Sequence, residues 1–183
     1  LYFNYAAPSS IYGHLYQLES EASDLEPIRL FGRPATADSA FDYVCVGKEW
    51  YRFHTHFFLP SHLRIGFIED GFHGQLPQYY GSGSDATWRI PDNFNDLNLE
   101  ERSRYMHIDQ CKYYVTFFED DESFQEFFAK NGTDWQLEMD VAFLSSPRSQ
   151  NTLARAFYIP TYSEDHNAFG HYALLKRKQV EEV

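Results

Sequence analysis

Between Cys45 and Pro60 the chain reads CVGKEWYRFHTHFFLP. Lys48, Glu49, Trp50 and Arg52 bring a cation, a carboxylate, an indole and a guanidinium into one short stretch. That mix can grip a polar ligand, since a ring offers a stacking face while charged groups take its hydroxyls; it can equally close a sheet edge. His54 and His56, two apart in an extended segment, share a face, and His62 and His73 follow. Zinc takes three or four ligands oriented by outer-shell partners, and no such set accompanies these histidines, so no metal is expected. A second polar run holds Asp92, Asn93, Asn95, Asp96, Asn98, Glu100 and Glu101. Paired carboxylates there would suit glycosidic acid–base chemistry and the amides would suit sugar hydroxyls. The same residue types also turn the backbone by themselves, so a solvated loop accounts for them too. No Gly-x-Ser-x-Gly elbow or assigned nucleophile appears. GSGS at 81–84 lacks the lysine and following helix of a phosphate loop.

The elements that must position these residues read as follows. Residues 8–19 carry Ile11, Leu15 and Leu18 on one face behind a proline and serines, which predicts an amphipathic helix. Phe41–Val46, Leu63–Ile68 and Lys112–Phe118 are short apolar, β-rich runs and predict strands. Residues 71–103, with glycines, prolines and the acidic run, predict loop. Ser123 with Glu126 reads as a capping box opening a short helix that Asn131-Gly132 closes. Leu137, Met139, Val141 and Phe143 alternate with polar or small residues, which predicts a strand with one wet face. Ala156–Ile159 and Phe169–Lys176 supply two further strand candidates. Helices interleaved with strands imply an α/β or α+β fold: a single-domain sandwich over residues 1–183, its mixed β-sheet flanked by short helices and its early strands partly parallel.

Bulk composition narrows the partners. Hydrophobic residues form 43% of 183, enough for one proper core and too few residues for two. A formal charge of −12 excludes nucleic acid as a partner, because phosphate binding needs clustered lysine and arginine. Lys176-Arg177-Lys178 cluster only at the end, leading into a solvated tail over 177–183. No apolar run reaches the roughly 18 residues of a transmembrane span. The opening letters Leu-Tyr-Phe are compatible with a tag remnant or with a native aromatic edge. Cys45 and Cys111 are compatible with a bridge or with two buried thiols.

NYAAP at 4–8, VCVGKEWYRF at 44–53, FFLP at 57–60, GQLP at 74–77, NDLNLEERSRY at 95–105, DQCKYYV at 109–115 and RAFYIP at 155–160 follow one another in fixed order. This series resembles the C-terminal region of the dolichol-phosphate-mannose-dependent α-1,2-mannosyltransferases of N-glycan precursor assembly. These form part of glycosyltransferase family 22 in the membrane-embedded C-type superfamily. The resemblance implies a parent enzyme of the endoplasmic reticulum membrane, with dolichyl-phosphate mannose as donor and a lipid-linked oligosaccharide as acceptor. Its catalytic carboxylate would lie in an early lumenal loop, outside this segment, and no cofactor is implied. This chain would be a lumenal domain that docks on its own transmembrane portion, with residues 1–8 near the junction. It would support acceptor binding or structure rather than catalysis, and be inactive alone. An oxidising lumen favours a Cys45–Cys111 disulfide and makes the Asn131-Gly132-Thr133 sequon a glycan acceptor. Lys48, Glu49, Trp50, Arg52, Gln75, Asn95, Asp96, Asn98 and Arg104 become the acceptor-contact candidates. Two places depart from the pattern: His54-Thr55-His56 stands where Phe-Pro-Ser-Ser-like sequence is usual, and Arg102 where proline is usual. A secreted carbohydrate-binding module and an acid-loop glycosidase are the alternatives.

Overall fold

The computed structural model describes residues 2–22, 41–47, 58–80 and 84–178. Five strands form one mixed sheet in the order β2-β1-β3-β5-β4. They are β1 (Asp42–Val46), β2 (Leu63–Phe67), β3 (Cys111–Phe118), β4 (Trp135–Leu144) and β5 (Phe169–Arg177). The first three run parallel; β5 is antiparallel to both β3 and β4. The sandwich with an early parallel half is therefore observed.

A helix covers each face. On one side α2 (Ala7–Ala22) lays Ala7, Ile11, Tyr12 and Leu15 on Val44, Val46, Leu63, Ile65, Val115 and Leu174. Ile11 and Leu15 are fully buried, each burial being worth about 1.5–3 kcal/mol of transfer free energy. The one-turn α1 (Tyr2–Tyr5) precedes it: Tyr5 packs edge-on against Phe143, and Asn4 Nδ2 donates to the Arg155 carbonyl at 3.0 Å. On the other side α3 (Asp121–Asn131) sets Phe124, Phe127 and Phe128 against Tyr114, Phe118 and Trp135.

Three expectations are corrected. Asp120, not Ser123, caps α3: its Oδ1 accepts the Ser123 N–H at 2.9 Å, and Ser123 returns the bond from position N3. A carboxylate at the cap, followed by Asp121 and Glu122 in the first turn, suits the helix dipole and starts the helix earlier. The alternation over 137–143 breaks at a bulge between Leu137 and Met139. Met139 lies opposite Leu174 on the α2 side, whereas Leu137 lies opposite Leu175 on the α3 side. The run at 156–159 is not a strand. Asn151 accepts the N–H groups of Leu153 and Ala154 at 3.0 and 3.1 Å, and that cap opens α4 (Thr152–Ala156). A short helix α5 (Tyr162–His166) follows.

Cys45 on β1 and Cys111 on β3 are disulfide-bonded, 66 residues apart with Cα atoms 5.7 Å from each other. The bridge is buried on the α3 side, and the Met106 thioether lies 3.8 Å from the Cys45 sulfur. Met106 needs the room that Gly66 leaves, since a Cβ there would run into its sulfur.

Candidate functional cleft

Among its described residues, the segment from Gly71 to Tyr105 leaves β2 and returns to β3 with only three-residue helical turns of its own. Side-chain bonds replace the missing ladder. Asn98 Oδ1 accepts the Gln75 backbone N–H at 2.9 Å, and Gln75 Nε2 donates to the Asn93 carbonyl at 2.9 Å. Arg104 donates to the Leu76 carbonyl and, at 3.3 Å, to Asn93 Oδ1. Asn95 closes its own turn, accepting the Leu99 N–H at 2.7 Å and donating back to the Leu99 carbonyl at 3.1 Å. Tyr105 Oη donates to the Phe72 carbonyl at 2.7 Å, and the Met106 N–H to the Phe67 carbonyl at 2.8 Å, which pins the segment's end to β2.

The result is a cleft of about 1040 Å³ with walls from residues 75–80 and 86–94. Gln75 and Arg104, expected as contact residues, line it. Gln78, Tyr79, Tyr80, Arg89 and Asp92 join them. Arg89 is held by Asp85 at 2.6 Å. Tyr79 Oη donates to the Ile65 carbonyl at 3.1 Å, and burial holds its hydroxyl well above the ordinary tyrosine value. Arg64 stacks over the Tyr79 and Phe41 rings, 4.7 and 3.4 Å from their centroids. Asn95, Asp96 and Asn98 belong to the same segment but do not line the cleft; Asn95 and Asn98 shape the loop, and Asp96 is exposed. Lys48, Glu49, Trp50, Arg52, His54 and His56 lie outside the described residues. Tyr79, Tyr80 and Arg89 carry no motif of their own in the sequence, although Tyr79-Tyr80 stands one residue past GQLP and Trp88-Arg89 shortly after the glycine-serine stretch.

The cleft's chemistry is that of a binding surface. Among the described residues Asp92 is the one carboxylate lining it, whereas glycoside hydrolysis needs two carboxyl groups facing each other. Among the described residues no group of three His, Cys, Asp or Glu side chains could hold a metal ion. Among the described residues a charge cluster lies elsewhere, at the amino ends of the parallel strands β1, β2 and β3. The buried Glu19 carboxylate accepts from Tyr113 Oη at 2.6 Å and meets His62 Nε2 at 2.7 Å and Lys112 Nζ at 3.0 Å. Burial alone would raise the Glu19 carboxyl, yet these three partners hold it below the ordinary glutamate value. Asn131 closes α3, half-buried, with its Nδ2 donating to the Phe127 carbonyl at 3.0 Å. No described helix is long and apolar enough to cross a membrane.

No family model and no solved structure matches the chain. Curated proteins do. Over 184 residues it is 34% identical to the Homo sapiens alpha-1,2-mannosyltransferase ALG9, an alignment covering 100% of this chain and 28% of the relative. Identity to the Drosophila melanogaster alpha-1,2-mannosyltransferase Alg9 is 33% over 180 residues, 97% of this chain and 27% of that protein. The Schizosaccharomyces pombe alpha-1,2-mannosyltransferase alg9 is 28% identical over 185 residues, 97% of this chain and 29% of the relative. The chain thus spans less than a third of the length of these relatives. Similarity that runs along the whole chain, in organisms as distant as a human, a fly and a yeast, places it by sequence in the alpha-1,2-mannosyltransferase ALG9 family, as one segment of it.

Proposed function

We propose that this domain is a non-catalytic part of an α-1,2-mannosyltransferase of the endoplasmic reticulum membrane and that it lies on the lumenal side. There it helps to hold the lipid-linked oligosaccharide acceptor while mannose is transferred from dolichyl-phosphate mannose elsewhere in the parent protein. The observation that carries this reading is the full-length similarity to alpha-1,2-mannosyltransferases. The cleft supports it: ring faces at Tyr79 and Tyr80 sit beside Gln78, Arg89 and Asp92, the planar donors and acceptors that take sugar hydroxyls. The absence of an opposed carboxylate pair among the cleft-lining described residues supports a holding role over a hydrolytic one. Lys48, Glu49, Trp50, Arg52 and Asp96 remain contact candidates beside the cleft residues. Gln75, Asn95, Asn98 and Arg104 serve by keeping its walls in place.

The test is transfer by the full-length enzyme carrying Gln78→Ala or Asp96→Ala. Both side chains are exposed and the fold does not rest on them. Loss of one sugar hydrogen bond, worth about 1 kcal/mol, should lower kcat/KM for the acceptor about fivefold with an unchanged Tm. Unchanged kinetics for both variants would remove the cleft and its neighbouring turn from acceptor binding.

A further inference from the structure

The outer lip of the cleft is more apolar than a sugar site requires. Trp88 is 87% exposed, Ile90 77%, Tyr80 76% and Phe94 61%. Tyr80, Ile90 and Phe94 line one cleft, and Trp88 lies between its lining residues Thr87 and Arg89, so these side chains form one patch rather than scattered exceptions. Leu97, 71% exposed, extends the apolar run three residues past Phe94. Contiguous exposed apolar surface of this kind marks a site of association.

We propose that this lip seats on a zwitterionic lipid surface, with Trp88 and Ile90 entering the headgroup–acyl boundary. Residue type points there first. Tryptophan and tyrosine are the side chains that favour a water–hydrocarbon boundary, because one end of the ring system is apolar and the other bonds to water. Ile90 and Leu97 offer a sugar neither a flat ring face nor a hydrogen bond. Charge points the same way. At the lip Arg89 is held by Asp85 at 2.6 Å, while Asp92 and Asp96 are exposed beside Phe94 and Leu97. Carboxylates next to aromatic faces complement the outward-facing quaternary ammonium of phosphatidylcholine. An anionic membrane is disfavoured by the chain's −12 charge, and so is a second copy of the same chain. The lip is held in shape for contact, since Arg104, Gln75 and Asn93 tie its two walls together beneath it. The inference concerns lipid alone and stands whether or not the cleft takes a glycan.

The 183-residue chain, mixed with phosphatidylcholine vesicles and sedimented, should pellet with them. Its tryptophan emission should be quenched by brominated phosphatidylcholine. Trp88→Glu and, separately, Ile90→Glu should each lower the partition coefficient tenfold or more, with unchanged circular dichroism. Phe157→Glu, at an exposed apolar residue on another element, should leave it as it is. Replacing part of the phosphatidylcholine by phosphatidylserine should weaken binding. No pelleting above the vesicle-free control would overturn the proposal, as would equal binding by Trp88→Glu or tighter binding to the phosphatidylserine vesicles. Self-association of the vesicle-free chain that Trp88→Glu abolishes, seen by analytical ultracentrifugation, would assign the lip to a second copy instead.

Discussion

Gly170 and Gly13 show how one residue type meets opposite demands within a single fold. At Gly170, in β5, a Cβ would collide with the backbone carbonyls of Phe118 and Glu119. Backbone at the end of the β3–β5 pairing has nowhere to go, so Gly170→Ala must part β3 from β5 there. It should cost about 1–3 kcal/mol in urea melts, the usual range for overpacking. At Gly13, in the middle of α2, nothing lies within 4 Å of the added methyl. Gly13→Ala should therefore gain about 0.5–1 kcal/mol, because alanine loses less backbone entropy in a helix than glycine. The two melts should move in opposite directions, and a loss of stability in Gly13→Ala would show that α2 is not packed as described. Glu19 makes a related point about charge. Its carboxylate is tolerated in the interior because Tyr113 and Lys112 of β3 and His62, in the turn before β2, meet it, with Lys112 shared with Asp42 at 2.9 Å. None of those pairings is local in sequence.

Helix α3 is held to the sheet by a second device besides its phenylalanines. His171 on β5 stacks on Phe124 with ring centroids 4.4 Å apart. Its Nδ1 lies 2.6 Å from Asp140 on β4 and its Nε2 2.7 Å from Asp121 in the first turn of α3. Burial disfavours the charged ring, but the two carboxylates outweigh it and raise the histidine pKa above its ordinary value near 6.5. The folded state therefore binds the proton more tightly than the unfolded one. The added stability is fully present below about pH 6.5 and fades as pH rises through the raised folded value. Melts of the native chain and of His171→Gln across that interval should converge as pH rises, and a constant difference would exclude the imidazolium as the clasp. Because the site is partly open to solvent, salt should shrink the effect. Elements of this kind differ in how plainly the sequence announces them. The strands β1, β2, β3 and β5 stand out as short apolar, β-rich runs, and the helix α2 by the spacing of Ile11, Leu15 and Leu18. The start of α3 is misread because Asp120 outcompetes Ser123 as a cap, and Leu137 because a bulge reverses the face it occupies. The cleft is hidden more deeply. Its walls meet through bonds such as Gln75 to Asn93, 18 residues apart, which no local pattern encodes.

For the molecule as a whole, the disulfide decides how the parallel half is held. Parallel strands close only over long connections, and the 64 residues between Val46 and Cys111 make the β1–β3 pairing entropically costly. A covalent tie at Cys45–Cys111 removes that freedom from the unfolded chain before folding begins. In the chain-entropy account a closed loop of this length contributes about 4 kcal/mol, a large share of the 5–15 kcal/mol that a domain commonly has. The sheet also has its own means of staying together, since both cysteines sit within a buried apolar layer covered by Tyr114, Trp135 and the α3 rings. The double variant Cys45→Ala/Cys111→Ala should consequently still fold, with the same far-ultraviolet circular dichroism. Its urea midpoint should fall by an amount corresponding to about 4 kcal/mol, less whatever structure the open chain retains. Reductant added to the folded chain at low urea should leave the buried bridge intact, whereas reductant present through the whole urea titration, where unfolding exposes the sulfurs, should shift the midpoint toward that of the variant. A double variant as stable as the native chain would mean that packing alone closes the β1–β3 loop and that the covalent tie is redundant.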